Sequence, residues 1–445
     1  MTEGRATGVV ALAASVARLA VVAWAGTRFP PAHDGVRYDA MAARLAEGLG
    51  YTWKWPDGVV TALAHYPVGY PAMLAAAYWL LGHSVVVAGL LNACLGALAA
   101  IAVHRMVLAV STPRLALVAG LAVALHPGLV LYTPGIMTEG ATAALVTTAA
   151  WLAVTHRARP SMGRLALLGL VLGLAALVRP QSLVLAPLFG LIAAGRRGAA
   201  ACALACALVC APWIVRNCGA VGRCTISTNS GWNLLIGAQP TATGAWQSVV
   251  VPPACKDVFG ESQTDACFRH AAVQMIEDAP LRWIALAPRK LGATFDYGGI
   301  GGYYLFLSNP DAFPWTAVIA AGAIETVFER LAIALCLLGV IAAQGPRRKA
   351  RVALAMVGAV FSVLSMGWVA VVALCVAMAL LGRAWLADHP VHAAALFTVA
   401  STAAVHAVFF GAPRYALIAA PLVTAVAVVS WAEWRARSRR SVEGT

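Results

Sequence analysis

Residues His33–Pro71 read HDGVRYDAMAARLAEGLGYTWKWPDGVVTALAHYPVGYP. The stretch is polar and aromatic, and it follows an apolar run at about 8–26 and leads into others at 70–82 and 84–104. It carries Asp34, Asp39 and Glu47, three of only eighteen acids in 445 residues, and then a second polar cluster from Lys54 to Asp57. The flanking runs are continuously apolar, without the dyad alternation of barrel strands. Lipid satisfies no backbone polar group, so such runs must be helices. The pattern recurs to the C-terminus. The chain is 61% hydrophobic and 11% charged, with mean hydropathy +0.79, which excludes an ordinary soluble globule.

The expected fold is therefore all-α, a polytopic membrane helix bundle of about twelve crossings, given a bilayer core of roughly 30 Å. The single domain covers 1–445, with extracytoplasmic loops at about 27–68 and 216–328. Val36, Ala40, Ala43 and Leu45 recur at roughly helical spacing, which predicts an amphipathic surface helix over 36–48 in the first loop. The run 9–25 reads as a retained first helix, because Arg18 interrupts it and it is long for a signal peptide.

The net charge of +14 reflects basic residues held in the cytoplasm and points away from nucleic acid. Four clusters carry the map: Arg157/Arg159/Arg164, Arg196/Arg197, Arg347/Arg348/Lys349/Arg351 and Arg435/Arg437/Arg439/Arg440. Placed together on the cytoplasmic side of a bacterial cell (inner) membrane, they put both termini inside. Predicted crossings include 137–155, 165–178, 182–195, 199–214 and 329–343; whether 69–104 crosses once or twice stays open. The isolated polar residues then gather on the outer face. Of ten cysteines, six lie in apolar helices as packing residues; Cys218, Cys224, Cys255 and Cys267 lie in the long outer loop. An oxidising compartment makes these four candidate disulfides, most simply Cys218–Cys224 and Cys255–Cys267, while no CxxC spacing favours zinc.

Asp34 follows the first crossing and heads the surface helix, where a carboxylate serves either as a helix cap or as a general base. Glu139, in TPGIMTEG, heads an apolar helix, and a carboxylate at a membrane edge is costly unless it is used. Arg179 (LVRP), Arg216 (PWIVRN) and Arg414 (GAPRY) end apolar runs on the face that the positive-inside rule keeps poor in arginine. One could snorkel; three point to an anionic phosphate ligand, which guanidinium binds in bidentate fashion. His65 and Tyr66 add donors at the loop exit, and Tyr38 and Tyr415 lie beside the candidate charges. Asp39, Glu47 and Asp57 read as ordinary polar-face residues. No P-loop, dinucleotide fingerprint, HExxH or nucleophile elbow occurs.

In order along the chain, Asp34…Tyr38…Gly48-x-Gly50-Tyr51, HYPVGYP, MTEG, LVRP, APWIVRN, NSGWNLLIGAQP and GAPRY resemble the C-type integral-membrane glycosyltransferases. Bacterial relatives of protein O-mannosyltransferases and of lipid A aminoarabinose transferases are the nearest of these. The chain departs from that pattern at Gly35, where many members carry a second acid, and at Tyr66-Pro67-Val68, where aminoarabinose transferases carry Lys-Pro-Pro. The resemblance implies inverting transfer of a sugar from a polyprenyl-phosphate carrier to a lipid, glycan or protein acceptor hydroxyl on the outer face. It implies Asp34 as base, Glu139 and Tyr38 as acceptor-side or supporting groups, and Arg179, Arg216, Arg414, His65, Tyr66 and Tyr415 around the donor phosphate. No cofactor is called for if arginine neutralises the phosphate; a metal stays open. The competing readings are a lipid-linked glycan polymerase and a transporter or flippase of a polyprenyl-linked or anionic substrate, the latter predicting inverted repeats that the sequence does not show.

Overall fold

The computed structural model describes residues 2–443, the side chains of 439–443 excepted, so Arg439 and Arg440 lie outside the described side chains. The described residues are mostly helical, with a single two-stranded ribbon among them, and the chain is an integral membrane protein. The first helix, Glu3–Ala25, packs on helices Val85–Leu108 and Pro113–Ala124. Arg18, which interrupts its apolar run, is 1% exposed. Its guanidinium donates to the carbonyls of Ala124 (2.8 Å), Ala14 (3.3 Å) and Val123 (3.4 Å). The last carbonyls of a helix have no partner within it, and Arg18 supplies one for the 113–124 helix.

The surface helix forms over Asp34–Ala46, and a small antiparallel ribbon, Thr52–Lys54 with Val60–Ala62, follows it. Region 69–104 is two helices, Gly69–Leu81 and Val85–Leu108, broken at Gly82, whose φ is +88°. Its first helix has 13 residues, about 20 Å at 1.5 Å per residue. Asp39 is no ordinary polar-face residue. Its carboxylate accepts the Tyr78 hydroxyl at 2.6 Å and meets His83 Nε2 at 3.0 Å, tying the surface helix to the Gly69–Leu81 helix.

Residues 185–221 form one helical stretch broken at Ala194–Gly195, where Gly195 has φ +61°. The chain folds back there, so that Gly190 and Gly198 meet backbone to backbone, with Arg196 and Arg197 near the tip. The returning half runs parallel to helix Met162–Val178: the Cys202 thiol faces the Leu165 carbonyl and the Cys210 thiol faces that of Gly173. Both expected disulfides form, Cys218–Cys224 and Cys255–Cys267. Cys94, read as a packing residue, is exposed on its helix.

Two expectations change in extent. The long outer segment is not a loop but a set of short helices that includes Ser230–Ala238, Glu261–Asp278 and Ala287–Phe295. The next long helix starts at Trp315, well before 329. Glu325 and Glu329 break the apolar pattern and hide its start, yet Glu325 is buried against Gly128. Among the described residues, four helices combine the length and hydropathy of a full span, and the pair Gly367–Ala379 and Gly382–Asp388, bent by 96°, makes up to five. Other apolar helices, such as Pro113–Ala124 and Met162–Val178, are shorter.

Candidate active site at the head of the surface helix

Asp34 is the first residue of its helix but does not cap it. The cap position is His33, whose backbone has φ +50° and whose side chain makes no capping bond. The Asp34 carboxylate is free to turn toward the bundle. There, Arg414 Nη1 donates to Oδ2 at 2.8 Å and the Tyr66 hydroxyl donates to Oδ1 at 3.0 Å. Burial pushes the Asp34 pKa up, but the charge and hydrogen bond of Arg414, helped by Tyr66 and His65, outweigh it. The carboxyl is held below its ordinary value of 3.8. Burial, then the charge and contact of Asp34, push the Tyr66 phenol above its ordinary range. Burial depresses the His65 imidazole, leaving it neutral at pH 7 despite the opposing pull of Asp265 and Asp34.

Behind this pair lies a fully buried carboxylate. Glu139, in the first turn of helix Thr138–His156, is 0% exposed. Its Oε1 accepts Arg179 Nη1 at 2.7 Å and lies 3.4 Å from Arg414 Nε; its Oε2 accepts the Tyr132 hydroxyl at 3.1 Å. Arg179 also donates to Thr138 Oγ1 at 2.9 Å. Pro180 stops helix Met162–Val178 and fixes Arg179 at its mouth. The Tyr415 ring centroid is 4.9 Å from the Arg179 guanidinium and 5.1 Å from that of Arg414, and the ring stacks on His406 at 3.7 Å. Two arginines and two carboxylates thus share one network, with Glu139 fixing both arginines from the protein side.

A cavity of about 600 Å³ opens on this network. Asp34, Tyr38, His65, Tyr66, Arg179, Arg414 and Tyr415 all line it. Glu139 stands behind the wall, and Tyr38 packs edge-on against Tyr66 at 5.0 Å. Arg216 is not brought in. Its guanidinium donates to the backbone carbonyls of Leu63 (2.5 Å) and Tyr51 (2.8 Å) and to Asn217 Oδ1 (2.9 Å), and it stacks on Trp213. It organises the loop that carries His65 and Tyr66, and does not face the cavity. The disulfide cysteines lie outside the cavity too, although Cys218–Cys224 anchors the segment Thr225–Asn233 that lines it.

Reading by charge and motif passed over several lining residues. Gln181, Asn233 and Trp232 face the cavity. Glu261 accepts the Ala64 N–H at 2.7 Å and the Thr228 hydroxyl, which joins the outer segment to the His65 loop, and burial raises its pKa. Only Trp232 and Asn233 had a signal, as part of NSGWN.

No family model and no curated protein matches the chain. Among solved structures it is similar to the archaeal oligosaccharyltransferase AglB from Archaeoglobus fulgidus, in complex with an inhibitory peptide and a dolichol-phosphate. The TM-score is 0.44 and the identity 14%, over 99% of this chain and 51% of that one. It is also similar to ArnT from Cupriavidus metallidurans bound to undecaprenyl phosphate, with TM-score 0.40 and 15% identity over 96% of this chain and 78% of that one. The chain spans about half the length of the first of these.

Proposed function

We propose that the chain is a membrane glycosyltransferase that moves a sugar from a polyprenyl-phosphate carrier to an acceptor hydroxyl at the outer face. One observation carries the reading: an ionised carboxylate, Asp34, and two arginines share the wall of a single cavity, with the arginines braced by the buried Glu139. This combination fits an in-line displacement at an anomeric carbon. The acceptor oxygen forms the new bond to that carbon as the bond to the phosphate oxygen breaks, inverting the configuration. The electron pair leaves on the phosphate, where Arg179 and Arg414 neutralise it. The acceptor proton passes to Asp34, whose low pKa keeps it ionised and suits it to accept that proton late in the displacement. The ordered motifs from Asp34 to Tyr415 support the same reading.

The shorter apolar helices are read as the remaining members of about twelve crossings in a bundle of closely packed small residues. Both termini are placed inside and the cavity outside by the basic clusters. The acceptor is a lipid, glycan or protein hydroxyl. Leaving-group stabilisation falls to the arginines, so the reading calls for no metal ion. The test uses membranes that carry the full chain, given a polyprenyl-phosphate sugar labelled in the sugar. Label should move to an acceptor and polyprenyl phosphate should accumulate. Intact donor after exhaustive incubation, with acceptors from native membranes present, would refute the function.

A further inference from the structure

The cavity has a second set of lining groups that the displacement chemistry leaves unused. Gln181 follows the arginine at the mouth of helix Met162–Val178, and Asn233 lies in the first turn of helix Ser230–Ala238. Neither side-chain amide has a hydrogen-bond partner among the described residues, although both line the cavity. The same holds for the indole N–H of Trp232 and the ring nitrogens of His65. Their neighbour Asn229 uses its Oδ1 to accept the Ser227 hydroxyl at 3.1 Å and keeps its amide N–H groups free. A charge close to this wall, Asp265, is buried (3% exposed) and already held by Arg223 at 3.1 Å and Arg269 at 2.8 Å. These groups run on from the acid: Tyr66 bonds Asp34, its ring meets His65 at 4.8 Å, and His65 meets Trp232 at 6.0 Å.

Amides both donate and accept, as sugar hydroxyls do, and a neutral imidazole does the same. An aromatic face suits the C–H side of a pyranose or furanose ring. A charged substituent held against neutral amides would lose water without gaining a counter-charge. We propose that Gln181, Asn229, Asn233, Trp232 and His65 form the sugar subsite, and that it selects an uncharged, hydroxyl-rich sugar over uronic acids and amino sugars. This deepens the transferase reading and rests on it.

The test measures binding to the purified full chain in nanodiscs for four probes: undecaprenyl phosphate, and its mannosyl, glucuronosyl and 4-aminoarabinosyl forms. The wild type should bind the mannosyl form about tenfold more tightly than either charged form. Asn233→Ala and Gln181→Ala should each weaken the mannosyl form about three- to tenfold, the size of one or two lost hydrogen bonds. Both should leave undecaprenyl phosphate unchanged. If undecaprenyl phosphate binds but a charged sugar is preferred, or the sugar adds nothing, the subsite is refuted and the transferase reading stands. If the variants weaken undecaprenyl phosphate equally, their role is in shaping the cavity and the subsite is again refuted. If none of the four binds, the transferase reading fails and the subsite with it.

Discussion

Asp34 would be a poor catalytic base if burial alone governed it, because it would hold its proton in acid. Arg414 reverses that. The folded pKa lies below 3.8, so the stability this carboxylate contributes is present above 3.8 and lost only as pH falls through the lower folded value. Transfer should show no acid limb from Asp34 above about pH 4. Replacing Arg414 by Gln leaves burial opposed only by Tyr66 and His65. The acid limb of kcat/KM should then move to higher pH, alongside a large loss of rate; a limb that stays in place would detach Arg414 from Asp34. Gly35 explains a departure from the resemblance. A Cβ there would lie 2.8 Å from the Tyr304 hydroxyl and 2.9 Å from the Ile136 carbonyl, so a second acid beside Asp34 has no room. Tyr304 is itself fixed, accepting the Ala32 and Ile136 N–H groups. Gly35→Asp should lower the melting temperature of the purified protein and reduce transfer, whereas an unchanged melting temperature would show that the turn can yield.

At the scale of elements, the cavity is a meeting of helix ends. The loop carrying His65 and Tyr66 can approach Arg179 because position 69 is glycine: a Cβ there would meet the backbone of Leu177 and Val178 at 2.6 Å. The Cys218–Cys224 bridge closes the end of helix Leu185–Val221 and starts the lining segment. In the chain-entropy account, so short a loop contributes about 2 kcal/mol. Cys218→Ser should cost about that much in unfolding free energy and weaken donor binding more than a reduced Cys255–Cys267 bridge does; equal effects would show that neither bridge shapes the cavity. Much of this level was legible in the sequence. Asp34, Glu139, Arg179 and Arg414 stood out because an isolated charge at the end of an apolar run has few inexpensive explanations. Arg216 carried the same local signal and a different fate, since its partners, the carbonyls of Tyr51 and Leu63, lie more than a hundred residues away and carry no side-chain signature. Asp39 was missed for the same reason, its partners Tyr78 and His83 being some forty residues downstream. Gln181 and Asn233 carry no charge, so hydropathy could not mark them.

The whole molecule brings residues far apart in the chain to one place. Basic clusters and acidic site residues separate along the chain, and residues from 34 to 415 converge on one chamber. That separation predicts distinct classes of variant. Arg179→Gln should weaken binding of undecaprenyl phosphate at least tenfold, as expected for a lost charge-assisted contact. Arg216→Gln should lower thermal stability while leaving that affinity within about twofold. A reversed pattern would move the phosphate to the other side of the His65 loop. In the proposed reaction Asp34 acts in the transfer step and not in binding. The most direct measurement compares wild type and Asp34→Asn at saturating polyprenyl-phosphate sugar, reading transfer rate and donor affinity on the same preparation. The expected result is a rate at least about a hundredfold lower with donor affinity nearly unchanged. An Asp34→Asn protein that transfers at the wild-type rate would contradict it.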